Sequence, residues 1–430
     1  MKTYIYTFLS CLCLSCLAFY YDPYIETKVD SKKLKELASI TQPIRTIDPT
    51  DTNYQDLLFL KEKLKNVDLV MLGEQQHGDG ATFLAKSRLI KFLHQELDFD
   101  VLLFESGLYD CALLWDKIQR EQKIKNTDFD QALFYFWGMS NETNNLREYI
   151  LQNAKSTNPL LFGGFDIQFS GNINYSNRIQ DIEFYLVKKN IKLKEHYKHF
   201  SKILEDYQYN TLTYRSGQIS KTEKQIIYDE IKHLSNLLKT TANTDEDKIF
   251  IRYLLSIQTH LNYKWLYAHD DRKQGIIRDS MMAENVIWLK DSLYKNKKVI
   301  VWAANYHIAY NSNKLSNSAD RDKKMGDYLK EKYDSSCYSI NFTSYSGITY
   351  NIETSDLLRI NDSVSSSVES ILHTANKPYA FIDFRNISRK SFLNEAVTMK
   401  CFGHQNTREQ WIQLTDGIFF IDEMKPITFN

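Results

Sequence analysis

Residues 69–78 read Leu-Val-Met-Leu-Gly-Glu-Gln-Gln-His-Gly, and this stretch decides the fold prediction. Its four apolar residues have the length of a buried parallel strand, and a polar loop bounded by glycines follows directly. From Leu89 to Leu97 the apolar residues follow the spacing i, i+3, i+4, i+8, which predicts a helix with one buried face. A second apolar run follows at 101–104. Strand, helix and strand in this order predict a parallel crossover unit.

The pattern continues along the chain. Further runs with strand character lie at 160–162, 299–302, 336–342, 379–384 and 418–421, and a helix is predicted around 325–332. Residues from about 173 to 275 are rich in Lys, Glu, Tyr and Leu, contain no proline and show no strand-like alternation, which predicts a helical insertion. We therefore predict one three-layer α/β/α domain over residues 21–430, with a mostly parallel sheet and this insertion over the strand ends.

The composition excludes some classes of partner. With 43% hydrophobic and 25% charged residues, the chain is typical of a globular protein and not of a disordered or fibrous one. The 54 Lys and Arg residues balance 54 Asp and Glu residues, so no basic surface for a polyanion is indicated. We expect no nucleic-acid partner.

The first twenty residues predict export. Lys2 precedes an apolar run from Tyr4 to Tyr20, as in a signal peptide. The run is also about as long as a short membrane span, so an uncleaved anchor is the alternative for residues 1–20. The protein is thus expected to be periplasmic, secreted or membrane-anchored through its N-terminus. Leu14-Ser15-Cys16 loosely resembles the end of a lipoprotein signal, which leaves lipidation at Cys16 open.

Polar residues suited to hydrolysis stand just beyond the predicted strands. In an open parallel sheet, ligands bind beyond the carboxyl ends of the strands, where helix N-termini add positive potential. These ends carry, in chain order, Glu74, His77, Glu105, Asp166, Asn305 and His307. An imidazole can take a proton from water near neutral pH, and a neighbouring carboxylate can fix its tautomer. No Gly-x-Ser-x-Gly elbow supports a nucleophilic serine.

The same residues have structural interpretations. A Glu and a His three apart in a glycine-bounded loop could be a solvated turn. Glu105 could pair with Arg88 or Arg278, because a carboxylate at the mouth of a buried strand needs a partner. Asp166 could cap the following turn. Two Glu and two His could also hold a divalent metal, but no His-Glu-x-x-His run is present, and we predict neither a metal nor a cofactor.

Several blocks, taken in order, resemble the erythromycin esterase-like family. The opening blocks are Leu-Gly-Glu-Gln-Gln-His-Gly at 72–78, Arg-Leu-Ile-Lys-Phe-Leu at 88–93 and Phe-Glu at 104–105. The later blocks are Gly-Phe-Asp at 164–166, Arg-Asp-Ser-Met-Met-Ala-Glu-Asn at 278–285 and Val-Trp-Ala-Ala-Asn-Tyr-His at 301–307. The resemblance spans roughly residues 67–342, and both the order and the spacing of the opening blocks match.

The resemblance implies a hydrolase that opens a macrolide lactone, or cleaves a related small-molecule ester, by attack of an activated water. On a macrolide this would be an antibiotic-resistance activity. It implies that His77 is the general base and that Glu74 and Glu105 orient the histidines and balance their charge. Arg278 and His307 would bind or polarise the carbonyl oxygen as negative charge develops on it. The remaining residues assigned to substrate binding are Arg88, Asp166 and Asn305.

One position departs from the family pattern. Two histidines three apart are usual after the fourth strand, and here the first is Ala304 and only His307 remains. A non-catalytic protein that binds a small molecule is therefore a second hypothesis, and a metal-dependent hydrolase, sensitive to chelation, is a third. Convergence of Glu74, His77, Glu105 and His307 would favour hydrolysis. A Glu105 locked against a buried arginine, away from His77, would favour binding alone.

Overall fold

In a computed structural model of the protein, the described residues are 29–120, 123–171, 178–191, 197–203, 205, 220–241, 244–266 and 270–429. The predicted export segment 1–20, with Cys16, lies outside them. Among the described residues, no helix is both long and apolar enough to cross a membrane.

The centre of the fold is a mixed sheet. The described strands are β1 (Thr41–Pro43), β2 (Leu69–Leu72), β3 (Val101–Gly107), β4 (Leu161–Asp166), β5 (Val299–Trp302), β6 (Cys337–Tyr350), β7 (Leu357–Arg359), β8 (Tyr379–Asp383), β9 (Val397–Met399), β10 (Thr407–Glu409) and β11 (Gly417–Met424). Strands β9 and β10 pair with each other, and the rest form one sheet in the order β1-β8-β11-β6-β2-β5-β3-β4, with β7 beside β6. The run from β11 to β4 is parallel, whereas β1, β7 and β8 pair antiparallel.

Helices cover both faces of this sheet. The described α-helices are α1 (Ser31–Ile40), α2 (Phe59–Lys63), α3 (Gly80–Leu97), α4 (Leu108–Arg120), α5 (Tyr135–Gly138), α6 (Asn144–Asn153), α7 (Arg178–Lys188), α8 (Lys221–Thr241), α9 (Asp245–Leu266), α10 (Asp271–Trp288), α11 (Asn305–Ile308), α12 (Met325–Tyr333) and α13 (Val368–Thr374). In β2, Val70 and Leu72 belong to the core that includes α3. Leu69 and Met71 belong to the core that includes α10 and α12. Burial on both faces explains the unbroken apolar strands and confirms the predicted three-layer α/β/α class.

The predicted strands at 69–72 and 299–302 coincide with β2 and β5. Two other strands are longer than the apolar runs that predicted them. The strand predicted at 101–104 continues to Gly107, and the one at 160–162 continues to Asp166. Their pairing shifts register after Phe104 and resumes between Gly107 and Asp166. Glu105 and Asp166 therefore lie within the strands and not in loops beyond them.

The described residues between β4 and β5 are largely helical, as the sequence predicts for an insertion. Side chains of α7, α8 and α9 share a core of their own, with Ile227, Phe250 and Tyr253 at its centre. Helix α10 passes beyond residue 275 and packs Met282 and Val286 on the sheet. The insertion limits 173–275 and the domain limits 21–430 stay predictions.

Strands β2 and β5 end together, beside Phe104 of β3. Leu72 lies opposite Trp302 in the β2–β5 pair, and Phe104 lies opposite Trp302 in the β3–β5 pair. The segments that leave β2 and β5 therefore start at the edge of the sheet where β3 continues into Glu105. The loop carrying Glu74 and His77 and the residue Glu105 are thereby neighbours.

Candidate active site

The loop that follows β2 is held tightly against α11 and β6. A Cβ at Gly73 would overlap the side chain of Asn305, and one at Gly78 would overlap the Tyr350 carbonyl oxygen. The Gly78 carbonyl in turn accepts hydrogen bonds from the Tyr350 and Ile427 amides. Only glycine allows these close approaches. The loop therefore presents Glu74 and His77 from a fixed backbone.

Buried polar side chains also hold this loop in place. Asp79, which is fully buried, accepts from the Gln76 amide at 2.9 Å and from the Thr349 hydroxyl at 2.7 Å. The His404 ring lies 2.8 Å from the same carboxylate through Nε2. Gln75 donates to the Lys400 carbonyl at 2.5 Å. Since each buried polar group here is satisfied, displacing the loop would leave several unpaired groups in the core.

Glu74 connects the exposed imidazole to a buried ammonium group. Its Oε1 lies 2.7 Å from His77 Nδ1, and its Oε2 accepts from Lys86 Nζ at 2.8 Å. The His77 ring stacks on Phe136 at 4.9 Å and meets the edge of Trp137 at 5.2 Å. The His77 side chain keeps 25% of its surface exposed, whereas that of Glu74 has none. The imidazole is thus oriented by its aromatic neighbours and by one carboxylate.

Lys86 balances the buried charge of Glu74. Its side chain is fully buried, with Nζ 4.0 Å from the centroid of the Trp302 ring. Burial lowers the pKa of Lys86 to about 8, and the attraction of Glu74 opposes that shift. The ion pair therefore keeps the lysine charged in an apolar setting, where an unpaired charge would be very costly.

A second cluster forms around Arg278, which α10 carries to the ends of β3 and β4. Its Nη2 donates to Glu105 at 2.6 Å and to Asp166 at 2.6 Å. Its Nε also contacts Asp166, at 3.1 Å. Such two-point contacts with carboxylates fix the plane of the guanidinium. The two carboxylates raise the pKa of Arg278 further although burial works against it, so its charge is permanent.

His307 is the imidazole of this second cluster. Its Nδ1 lies 2.7 Å from Asp279, and its Nε2 lies 3.1 Å from Arg278 Nη1 and 3.4 Å from Glu105. Burial works to lower the pKa of His307, but Asp279 and Glu105 outweigh it and raise the pKa. Arg278 can donate to Nε2 only while the ring is neutral. When Nε2 takes up a proton, it therefore loses the hydrogen bond from Arg278.

Glu105 stays ionised in this setting. Burial alone would raise its pKa, but His307, Arg278 and His77 together lower the pKa to about 2. The contribution of His77 means that the two clusters interact electrostatically. The cluster of Arg278 and His307 therefore contains a carboxylate that is charged at every physiological pH.

The segment after β5 joins the two clusters. The Ala303 carbonyl accepts from Lys86 at 3.4 Å, and the Asn305 amide donates to the Glu74 carbonyl at 2.8 Å. Between them, the Ala304 amide donates to Glu105 Oε2 at 2.9 Å. Ala304, where the family pattern has a histidine, is partly exposed at this junction. Glu105 is thus locked on a partly buried arginine, and this pair lies beside His307 and within the electrostatic reach of His77.

The structure does not bring Arg88 to the site, which corrects its assignment to substrate binding. The residue lies two positions after Lys86 on α3, so it faces another direction. Its guanidinium donates to Asp56 at 2.7 Å and to the carbonyls of Asn53 and Thr46 at 2.7 and 3.1 Å. Through these partners, the buried Arg88 fastens the N-terminal segment to α3.

Asn305 and Asp166 are close to the site but are occupied by the protein itself. The Asn305 amide group donates to the carbonyls of Phe342 and Cys401 at 2.7 and 2.6 Å, and it accepts from the Phe342 amide. Asp166 binds Arg278 and accepts from the Gln168 amide at 3.1 Å, as the capping interpretation expected. Both residues position others, and their assignment to substrate binding stays a prediction.

The sequence interpretation missed two residues of these clusters. Lys86 falls three positions after Phe83 and three before Leu89, on the apolar face of α3, and a lysine there signals a buried ion pair. Asp279 follows Arg278 in the block at 278–285, and the family resemblance implies no role for it. Among the described residues, no group of three or more His, Cys, Asp or Glu side chains is arranged to hold a metal ion.

The chain matches the model of a known family. A family model described as erythromycin esterase matches residues 94–424. This range contains Glu105, Asp166, Arg278 and His307 and begins after the loop with Glu74 and His77.

Two relatives align over most of their length. YbfO of Bacillus subtilis, a candidate hydrolase by its name, is 27% identical over 410 residues, which cover 90% of this chain and 90% of that protein. The erythromycin esterase type II of Escherichia coli is 23% identical over 405 residues, which cover 87% of this chain and 93% of that protein.

Solved structures share the architecture. A succinoglycan biosynthesis protein has a TM-score of 0.76 at 20% identity, and a Bacillus cereus protein has 0.76 at 24%, each covering 93% of this chain and 98% of its own. A mutant of the erythromycin esterase EreC in its open conformation has a TM-score of 0.66 at 15% identity, covering 90% of this chain and 98% of its own. Identities this low show the fold alone.

Proposed function

The chain belongs to the erythromycin esterase family, and from this premise we propose that it cleaves a carboxylic ester or a macrolide lactone with an activated water molecule. The family and the names of the relatives support a hydrolase. The ester bond as the target and the residues that act on it are the finer part of the proposal. No cofactor is required by this chemistry.

The geometry of His77 carries the proposal. An ionised carboxylate only accepts hydrogen bonds, so the 2.7 Å contact with Glu74 places the proton on Nδ1. The Nε2 lone pair is then free, and Nε2 has no hydrogen-bond partner among the described residues. With 25% of the side chain exposed, this nitrogen can accept a proton from a water molecule that attacks the carbonyl carbon.

The second cluster supplies the complementary charge. As the water attacks, negative charge develops on the carbonyl oxygen, and Arg278 is a fixed cation that can stabilise it. His307 can hold a proton, because Asp279 and Glu105 raise its pKa. That proton would pass to the departing alkoxide. Glu105, Asp166 and Asp279 would position these two groups without touching the substrate.

The deciding experiment is mass spectrometry of a fourteen-membered macrolide and a panel of simple esters after incubation with the protein lacking residues 1–20. We expect a product heavier than the macrolide by one water, or the acid and alcohol of an ester. With His77→Ala, turnover should fall by about a hundredfold to ten-thousandfold, because a general base is lost. Undiminished turnover in a folded His77→Ala variant would refute the role of His77.

Ala304 motivates a second candidate, a protein of this fold that binds the small molecule without turnover. The Ala304 backbone is extended, with φ −69° and ψ 149°, and its side chain is partly exposed, so a larger residue fits there. Under this candidate, calorimetry detects binding of a macrolide or ester while mass spectrometry detects no product. Ala304→His would then restore turnover by completing the usual pair of histidines.

Metal dependence is a third candidate, and chelation tests it. Hydrolysis by the proposed route should be unchanged after dialysis against EDTA. If activity were lost and then recovered by adding zinc, the metal would be the group that activates the water in place of His77. A bound metal lowers the pKa of its water directly.

We also propose that the protein is exported through residues 1–20, on the strength of Lys2 and the apolar run after it. Expression of the full chain in a Gram-negative host should place it in the periplasmic or membrane fraction. The chain that starts at residue 21 should stay in the cytoplasm, and equal distribution of the two would refute export.

A further inference from the structure

A cavity of about 220 Å³ lies along the outer edge of β4, and none of the charged residues of the two clusters lines it. Its walls come from β4, α4, α7, α9 and the turn Leu289–Leu293 that follows α10. The volume exceeds the roughly 150 Å³ of a cavity that holds benzene. The space is therefore large enough for a monocyclic or small bicyclic molecule.

Most of the wall is apolar and only partly covered. Leu113, Trp115, Ile249 and Leu293 line the cavity and keep some accessible surface, although each is a large apolar side chain. Their packing is incomplete on the cavity side within the described residues. A ligand that displaced water from them would gain about 25 cal/mol for each Å² of apolar surface buried.

The hydroxyl group of Tyr294 borders this space. Tyr294 lines the cavity, and its hydroxyl would lie 3.8 Å from a Cβ built on Gly163. The described residues provide no hydrogen-bond partner for that hydroxyl. Burial raises the pKa of Tyr294, so the phenol is neutral and can both donate and accept.

The β4 backbone adds further polar groups. The Leu161 amide donates to the Asp100 carbonyl at 2.7 Å, so the backbone groups of Leu161 face β3. In a strand these directions alternate, and the N–H and C=O groups of Phe162 and Gly164 therefore point to the outer edge of β4, which pairs with no strand among the described residues. Gly164 has no side chain, so it lines the cavity with backbone atoms.

The charged groups at the rim are already neutralised. Asp116 pairs with Arg120 at 2.8 Å, and Glu246 pairs with Lys188 at 2.6 Å. A charged ligand would lose its hydration without gaining an unpaired counter-ion.

We propose that this cavity is a second small-molecule site, separate from the hydrolytic site, which takes a neutral ring compound of about phenol to indole size with one hydrogen-bonding group. The apolar walls hold the ring, and the Tyr294 hydroxyl with the open β4 edge holds the polar group.

Calorimetric titration of the chain from residue 21 with p-cresol and with toluene tests the proposal. Both should bind the unchanged protein. In Tyr294→Phe, p-cresol binding should weaken about two- to tenfold, the effect of one hydrogen bond, while toluene binding changes less than about twofold. Absence of binding to the unchanged protein, or an equal effect on both probes, would overturn the proposal.

A second pair of variants tests the location. Ala112 lines the cavity on α4, so Ala112→Phe fills it and should weaken both probes at least about tenfold. Ala38→Phe adds the same bulk on an exposed face of α1 and should leave both affinities unchanged. Circular dichroism establishes that each variant is folded. Unaltered binding to a folded Ala112→Phe would place the probes elsewhere and refute the site.

Discussion

At the scale of single residues, the site is defined by which charges are buried and which are left reachable. Glu74, Lys86 and Glu105 have almost no exposed surface, whereas His77 is partly exposed. Removing one partner of a buried ion pair leaves the other uncompensated, which costs more than the pair contributes by its presence. The buried charges therefore hold the geometry, and the reachable nitrogen is the part available for chemistry.

Lys86→Met should destabilise the protein by about 3–5 kcal/mol, because Glu74 loses its buried counter-ion. The double variant with Glu74→Gln should recover much of this loss, since no unpaired charge remains, yet it should not recover turnover, since His77 loses its carboxylate. Urea unfolding and ester hydrolysis measure the two effects separately.

The matched control is Lys61→Met, which breaks the exposed Lys61–Glu96 pair at 2.7 Å. This variant should lose less than about 1 kcal/mol of stability, because solvent screens that pair. Equal losses of stability in Lys86→Met and Lys61→Met would contradict the role of Lys86 as the buried counter-ion of Glu74.

Asp279→Asn should lower the pKa of His307, because the nearest negative charge is removed. Histidine NMR titration measures this shift, with His307→Gln used to assign the signal. Since the folded-state pKa lies above the ordinary 6.5, this group contributes stability below pH 6.5 that is lost as the pH rises through the folded-state value. The variant should lose that pH dependence.

Asp422→Asn is the control for this titration. It removes a carboxylate at the same 2.7 Å distance from another imidazole, that of the exposed His373. The His307 signal should not move. A change of similar size in both variants would show that the shift reflects general charge and not the Asp279 contact.

At the scale of elements, short loops between a strand and a helix set the position of the reacting groups. The loop between β2 and α3 contains Glu74 and His77, and the β6 backbone passes directly against it at Gly78. In α10, Arg278 and Asp279 are adjacent. Arg278 binds Glu105 of β3, and Asp279 binds His307 of α11. The site thus depends on elements that are far apart in the chain.

Gly78→Ala should displace this loop, because the added methyl group would overlap the Tyr350 backbone and the backbone cannot rotate away. We expect a loss of stability of about 1–3 kcal/mol together with at least a tenfold loss of turnover. Thermal unfolding and initial rates measure both.

Gly275→Ala is the matched control, since a Cβ there has no neighbour within 4 Å. It lies inside α10, where alanine favours the helix by up to about 1 kcal/mol, so this variant should be slightly more stable. A Gly78→Ala variant that behaves in the same way would show that the close approach to Tyr350 is not needed.

At the scale of the whole molecule, the described core is divided. The sheet buries one cluster on one face and two on the other, and the helices α7, α8 and α9 enclose a separate cluster. Helix α10 and contacts such as Tyr109 on Tyr253, 3.9 Å apart, connect the two parts. A separate core allows these helices to open without unfolding the sheet.

Hydrogen exchange measured by mass spectrometry should show this division. Amides of α8 should exchange at least about tenfold faster than those of β2 and β5, because sub-global opening needs less free energy than global unfolding. The ratio of the exchange rate in α8 to that in β2 and β5 should fall toward one near the midpoint of urea unfolding. Uniform protection under native conditions would mean that both cores unfold together.

The sequence by itself determined the class of fold and the location of the site. Unbroken apolar runs can be buried only in a sheet covered on both faces, and the residues just after them must lie at one edge. The regions of Glu74, His77, Glu105 and His307 were therefore predictable, as was the helical character of the region before Arg278.

Tertiary structure alone decided which side chains meet. Arg88 and Arg278 are equally plausible partners for Glu105 in the sequence, and only the packing of α10 selects Arg278. The apolar face of α3 indicates that Lys86 is buried in an ion pair, but only the packing of α3 against the loop after β2 identifies Glu74 as its partner. Contacts between distant segments depend on how the helices pack on the sheet, and a local pattern does not identify the partner of a buried charge.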